Sequence, residues 1–167
     1  YLSSVAEKKP VPGGGAVAAI VGAEACALQA KVAIFSSNSE ITPIVESSIK
    51  TQKKLLELAE KDSKVFLALM NAGRKSKNYE ELLIEAARVP VEVLRISVLQ
   101  VSSLKTLLKL GNLNLVSDIG ISALLLISSI KSSLLNIKIN TKNIESIPED
   151  ILLAELLAEK ALKELES

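Results

Sequence analysis

The chain has 167 residues, 49% of them hydrophobic, with 20 Lys plus Arg against 19 Asp plus Glu and no histidine. Charge balance and 2% aromatics leave no electrostatic or stacking case for nucleic acid. The missing histidines exclude a Ser-His-Asp triad, a Cys-His pair, and a histidine zinc site or general base. Cys26 is the only cysteine, so an intrachain disulfide and a zinc cysteine cluster are excluded too. Proton transfer therefore falls to carboxylates, lysine, tyrosine, cysteine or water. No acidic cluster suggests magnesium, so no metal is expected. The length fits one domain over 1–167. The chain opens on Tyr1 rather than methionine, so residues ahead of it are expected; the lone cysteine and lack of export signals point to the cytoplasm.

In chain order, residues 1–7 read as the end of a short helix, closed by the breaker segment 8–13. A second helix is expected from the glycines of PVPGGGAVAAIVGA (10–23) to about Ser37. Its apolar run from Ala16 to Phe35 is long enough for a membrane span. Glu24, Gln29 and Lys31 interrupt it, so no membrane partner is expected and the run reads as a central helix buried on most sides. Thr42-Pro43 is an N-cap and first-turn signal. The helix after it carries Ile44, Ile49, Leu55, Leu56, Ala59, Val65, Phe66 and Leu69 near the 3.6-residue period and ends near 71–73. GRKSKN is an exposed basic turn. The pattern from Tyr79 to Leu110 is helical, with Pro90 either kinking it or opening a second segment, and Gly111-Asn112 read as its C-terminal cap. Ser117 caps a helix reaching about Asn136, with 137–139 ambiguous between helix end and extended chain. Ser146-Ile-Pro-Glu149 fits a capping box for a last helix to about Glu164. The fold class is all-α: a bundle of about five or six helices, several long, around a glycine/alanine-rich one.

Three stretches could carry chemistry. Gly13, Gly14 and Gly15 entering a helix present backbone N–H groups at its positive end, open to a carboxylate, a phosphate or a flat polar ring. Close helix packing is the competing account. No strand precedes them and no Gly-Lys-Ser/Thr follows, so neither a phosphate-binding P-loop nor a dinucleotide fingerprint is present. In NLVSDIGIS, Asp118 and Ser122 share a face. An aspartate in a first turn complements the helix dipole, but its apolar surroundings suggest burial, which demands partners or a function. Asn136 and Asn140, with Lys138 between them, offer two amides and an ammonium; helix termination is the bland account. Asp62 leans by phase toward the apolar side of its helix, against the default of a solvated carboxylate. Cys26 reads as a small core residue, and Glu24 either pairs with a lysine or lines a cleft.

Taken together, AEKKPVPGGGAVAAIVGA, Asp62 before Ser-Lys-Val-Phe, Val89-Pro90-Val-Glu-Val, GNLNLVSDIGISALL and NIKIN resemble, in order and spacing and nearly end to end, the cyclodeaminase half of formiminotransferase-cyclodeaminase, a family that includes stand-alone methenyltetrahydrofolate cyclohydrolases. The chain departs from that pattern at FSSNSEITP, which lacks a basic Gly-Lys-rich stretch, at the short GRKSKN loop, and at Lys138, where arginine is common. The resemblance implies an all-α homodimer acting on a tetrahydrofolate derivative as substrate, with no tightly bound cofactor. The implied activity is either cyclisation of 5-formiminotetrahydrofolate to 5,10-methenyltetrahydrofolate with loss of ammonia, or hydration of the methenyl compound to 10-formyltetrahydrofolate. A silent folate-binding or purely structural bundle is the remaining alternative. Asp62 and Asp118 are the implied acid and base, in either order. Gly13, Gly14, Gly15, Asn114, Ser117, Asn136, Lys138 and Asn140 are the implied substrate-binding residues.

Overall fold

The computed structural model describes residues 1–166; Ser167, the last residue of the expected domain, lies outside them. Its helices are α1 (Leu2–Val5), α2 (Gly14–Ile34), α3 (Thr42–Ala72), α4 (Tyr79–Leu99), α5 (Val101–Leu110), α6 (Val116–Thr141) and α7 (Glu149–Glu166), with 3₁₀ turns at Ser39–Ile41 and Leu113–Leu115. Six of them are longer than one turn, and the described residues contain no strand.

α2 occupies the middle because its side chains are small. Ala16, Ala19, Ala23 and Cys26 pack on Leu55, Leu58 and Ala59 of α3. On another side, Ser129 Oγ of α6 donates to the Ala18 carbonyl and Ser122 Oγ to the Ala25 carbonyl, each at 2.9 Å. Those pairings run α2 and α6 antiparallel at backbone contact. Gly22 sits between them: a Cβ there would lie 2.8 Å from Ser129 Oγ and 3.2 Å from Ser97 Oγ. Gln29, fully buried, extends the polar seam, donating to the Gln100 carbonyl (3.4 Å) and Ser122 Oγ (3.3 Å). Burial pushes the Cys26 thiol up to about 12, as a core residue should be.

Several boundaries and faces differ from the sequence expectation. Thr42 is not the cap of α3: the 3₁₀ turn hands the chain directly into the helix, and Asn38 Oδ1 caps that turn by accepting from Glu40 N–H. Ser117 likewise lies inside α6, behind a turn capped by Asn112. Pro90 does not divide its helix; the break falls at Gln100. Gly111 does cap α5 as expected, its N–H donating to the Leu107 carbonyl at 2.8 Å, with an extended backbone; glycine is needed there for space, since a Cβ would overlap that carbonyl. NIKIN is fully helical, so β-branching yields there to packing of Ile137 in the core. Ile49, Leu56 and Phe66, on the expected apolar face of α3, are 36%, 44% and 41% exposed. A 31-residue helix outruns the neighbours available to cover it.

Gly22→Ala should destabilise the fold by roughly 1–3 kcal/mol, the range for overpacking a filled contact, because Ser129 is held by the Ala18 carbonyl and cannot rotate away freely. Denaturant unfolding would measure it.

Candidate active site

One cleft collects most of the residues singled out from the sequence. Gly13, Gly14 and Gly15 form one wall, Asp62 and Phe66 of α3 a second, and Asn136, Ile139 and Asn140 of α6 a third, around about 200 Å³. No side chain of its own segment caps α2; the Asp62 carboxylate, from α3, takes that place and accepts from the Ala16 N–H. The N–H groups of Gly14 and Gly15 have no partner within the helix, as at every helix start, and they border the cleft.

Gly15 is the glycine this arrangement requires. A Cβ on it would overlap the Asp62 carboxylate, lying 2.5 Å from Cγ and 2.7 Å from Oδ2. On Gly14 it would meet only Asn136 Oδ1 at 3.9 Å. Burial raises the Asp62 pKa above the ordinary aspartate range, against the lowering effect of the Ala16 N–H. A carboxyl whose pKa is raised this way is a candidate for proton exchange with a bound ligand.

Asn140 is aimed by a residue on another helix. Pro90 has no N–H, so the Ala86 carbonyl one turn before it lacks its helical donor. Asn140 Nδ2 fills that gap, donating to Ala86 O at 3.0 Å. The amide is thereby turned with Nδ2 into the protein, and its Oδ1 remains free to accept. The pairing of Pro90 with Asn140 was not legible from sequence, because they lie 50 positions apart. Phe66 was read as core; its place four residues after Asp62 on one helix face is the signal that put it in the cleft.

The remaining expected site residues lie elsewhere in this chain. Asp118 sits 18 residues before Asn136 on α6, ~27 Å along the helix, where Lys31 Nζ donates to its Oδ2 at 2.7 Å. Asp62 and Asp118 of one chain therefore do not share a cleft. Asn114 and Ser117 are exposed near Asp118. Asn112, not Asn114, is the working residue of that loop: its Nδ2 donates to the Phe35 carbonyl at 2.9 Å and its N–H to Ser36 Oγ at 3.0 Å, fastening α6 to the end of α2. Lys138 is exposed on α6 and does not line the cleft. A larger groove of about 580 Å³ between α2 and α3 is walled by Ala16, Ile20, Leu56 and Leu67 and lacks the amides and free N–H groups. Among the described residues no group of three or more Asp, Glu or Cys is placed to hold a metal ion.

Residues 1–159, which hold the whole cleft, match the family model for formiminotransferase-cyclodeaminase. The chain belongs to this family. Among solved structures it resembles formiminotetrahydrofolate cyclodeaminase from Thermotoga maritima, at 34% identity and a TM-score of 0.89, over 99% of this chain and 91% of that one. A curated relative, methenyltetrahydrofolate cyclohydrolase from Methylorubrum extorquens, is 28% identical over 99% of this chain and 85% of its own length. The family match thus spans the glycine entry, Asp62 and both asparagines.

Asp62→Asn should raise the melting temperature at neutral pH. A raised carboxyl pKa means the folded state holds its proton more tightly than the unfolded chain, so the wild type loses stability as pH rises through the interval between the two pKa values, and the penalty persists above it. The gain should vanish below the ordinary aspartate range. Thermal melts across pH would check the sign. Gly15→Ala should displace Asp62 and lower its melting temperature, whereas Gly14→Ala should not.

Proposed function

We propose that the chain is a folate one-carbon enzyme that cyclises 5-formiminotetrahydrofolate to 5,10-methenyltetrahydrofolate with release of ammonia, using Asp62 as a single proton shuttle. The observation that carries this reading is a half-buried carboxyl of raised pKa at the open N-terminus of α2, facing two amides. In the reaction the folate N10 attacks the formimino carbon and loses its proton. The Asp62 carboxylate takes that proton and returns it to the formimino nitrogen as the carbon–nitrogen bond breaks. The positive charge passes from the formimino group to the methenyl product and ammonia leaves, so one carboxylate balances the step. General acid–base catalysis of this kind contributes about 10²–10⁴-fold. The free N–H groups of Gly14 and Gly15 suit an acceptor on the substrate, Asn140 Oδ1 suits a donor, and the exposed ring of Phe66 suits a flat heterocycle.

The name of the Methylorubrum relative supports a second reading, hydration of the methenyl compound, in which the same carboxyl would serve water and a leaving ring nitrogen. Assays with each folate offered separately decide between them: ammonia release with methenyl formation supports the first, and methenyl consumption alone the second. Turnover of neither, with no folate effect on melting, would leave a structural bundle, since a ligand that binds only the native state must raise the melting temperature.

Asp62→Asn should lower the rate at least 100-fold in a folded protein. In the wild type, kcat/KM should fall as pH drops through a pKa above the ordinary aspartate range, and that limb should be absent from the residual activity of the variant. Pro90→Ala should restore a backbone donor to the Ala86 carbonyl and release Asn140. The expected result is a protein no less stable than wild type, with folate KM raised several-fold and kcat little changed, matched by Asn140→Ala in steady-state kinetics.

A further inference from the structure

We propose that the apolar groove between α2 and α3 takes the arene attached to the folate N10, while the glycine–asparagine cleft takes the pterin ring, so that the reacting atoms lie on the divide between the two cavities, against Asp62. The inference rests on the function proposed above and adds a second subsite to it, one for a flat, uncharged aryl ring.

The cleft alone is too small for its substrate class. About 200 Å³ lies below the roughly 300–1,000 Å³ of sites that enclose drug-sized ligands, so it takes one heterocycle and leaves the rest of a folate outside. The groove supplies about 580 Å³ and shares the walls of the cleft. Val11, Gly15, Asp62 and Phe66 line the cleft, and the residues that directly follow them in the chain, Pro12, Ala16, Ser63 and Leu67, line the groove. Consecutive Cα atoms are ~3.8 Å apart, so at each of these points the divide is about one residue wide. Asp62 stands on it, its carboxylate accepting from the N–H of Ala16, a residue of the groove.

The linings sort the two halves of the ligand. A pterin edge carries donors and acceptors that hydrocarbon would leave unpaired, and the cleft has free N–H groups and Asn140 Oδ1 to meet them. The groove offers Ala16, Ile20, Leu56, Ala59 and Leu67 instead, with exposed Glu60 and Lys64 at its rim. Leu56 and Leu67 are half-exposed and lie three turns apart on one face of α3. An aryl ring gives up few hydrogen bonds on entering such a lining and is favoured by the apolar area it covers. The covalent structure of the ligand then fixes its place along the divide. N5 belongs to the pterin ring, N10 is bonded to the arene, and a short carbon link joins the two. With the ring in the cleft and the arene in the groove, N10 and the carbon carried on N5 fall beside Asp62, the carboxyl that the proposed step needs. The groove is thus a positioning device: contacts remote from the bonds that change hold N10 for attack.

Two probes that differ only in the arylamine test this without turnover: 5-formyltetrahydrofolate and 5-formyl-6-methyltetrahydropterin. Each is titrated calorimetrically against the wild type and against the double variant Leu56→Ala/Leu67→Ala, whose changes fall at half-exposed positions. The wild type should bind the folate at least tenfold more tightly than the pterin. The double variant should lose roughly tenfold in folate affinity, the scale of lost methylene contacts in a hydrophobic pocket, and keep its pterin affinity. Equal loss for both probes, or no loss for either, would overturn the proposal. A second measurement leaves the groove intact and does not depend on how that variant folds. In methyl-labelled protein the Ile20 δ1 signal, assigned through Ile20→Val, should shift with the folate and stay in place with the pterin. An Ile20 signal that ignores the folate would sink the idea. Wild type that binds both probes equally strongly would refute the aryl subsite and leave the proposed function standing. Wild type that binds neither would refute the proposed function and the subsite with it.

Discussion

The close approach of α2 to its neighbours is the constraint on which everything else rests. α2 carries almost nothing larger than valine toward α3 and α6, and Gly22 lets Ser129 reach the Ala18 carbonyl across the gap. With helix backbones this near, hydrogen bonds from serines to helix carbonyls replace part of the side-chain interdigitation that larger residues would supply. Buried hydroxyls cost least where they find partners; Ser122 and Ser129 donate to helix carbonyls and Ser97 pairs with Ser129 Oγ, whereas Ser48 and Ser133 are buried without a partner. The same closeness brings the start of α2 against the middle of α3. That proximity converts Asp62 from a helix-surface carboxylate into a half-buried cap on another helix.

The site shows how a deficit in one element is met from another. α2 begins without a local cap, and α3 supplies one. α4 loses a backbone donor at Pro90, and the Asn140 side chain of α6 supplies it. Each repair fixes a polar side chain in a defined orientation at the rim of one cleft. Preorganisation here comes from backbone groups whose needs are obligatory, which is a stronger restraint than contact between flexible side chains.

Electrostatically the two aspartates have opposite settings. Asp62 has no cation and is governed by burial, countered by one backbone N–H. Asp118 is met by an ammonium at 2.7 Å. Such a contrast suits separate roles, and the interposed length of α6 keeps the two carboxylates apart within one chain.

Composition alone narrowed much: without histidine, proton transfer was left to carboxylates, lysine, tyrosine, cysteine or water, and 3.6-residue periodicity gave an all-helical chain whose six longer helices the structure bears out. The glycine entry, Asp62, Asn136 and Asn140 were singled out by the family resemblance, because local spacing alone left helix packing, a solvated carboxylate and helix termination as equal or better accounts. What sequence could not decide was long-range adjacency. The separation of Asp118 from Asp62, the debt of Pro90 repaid by Asn140, and the exposure of Phe66 in the cleft all depend on which helix faces meet, and periodicity specifies a face without naming its neighbour. Only the antiparallel packing of α2 against α6 fixed that, because it sets which end of each long helix lies beside the other.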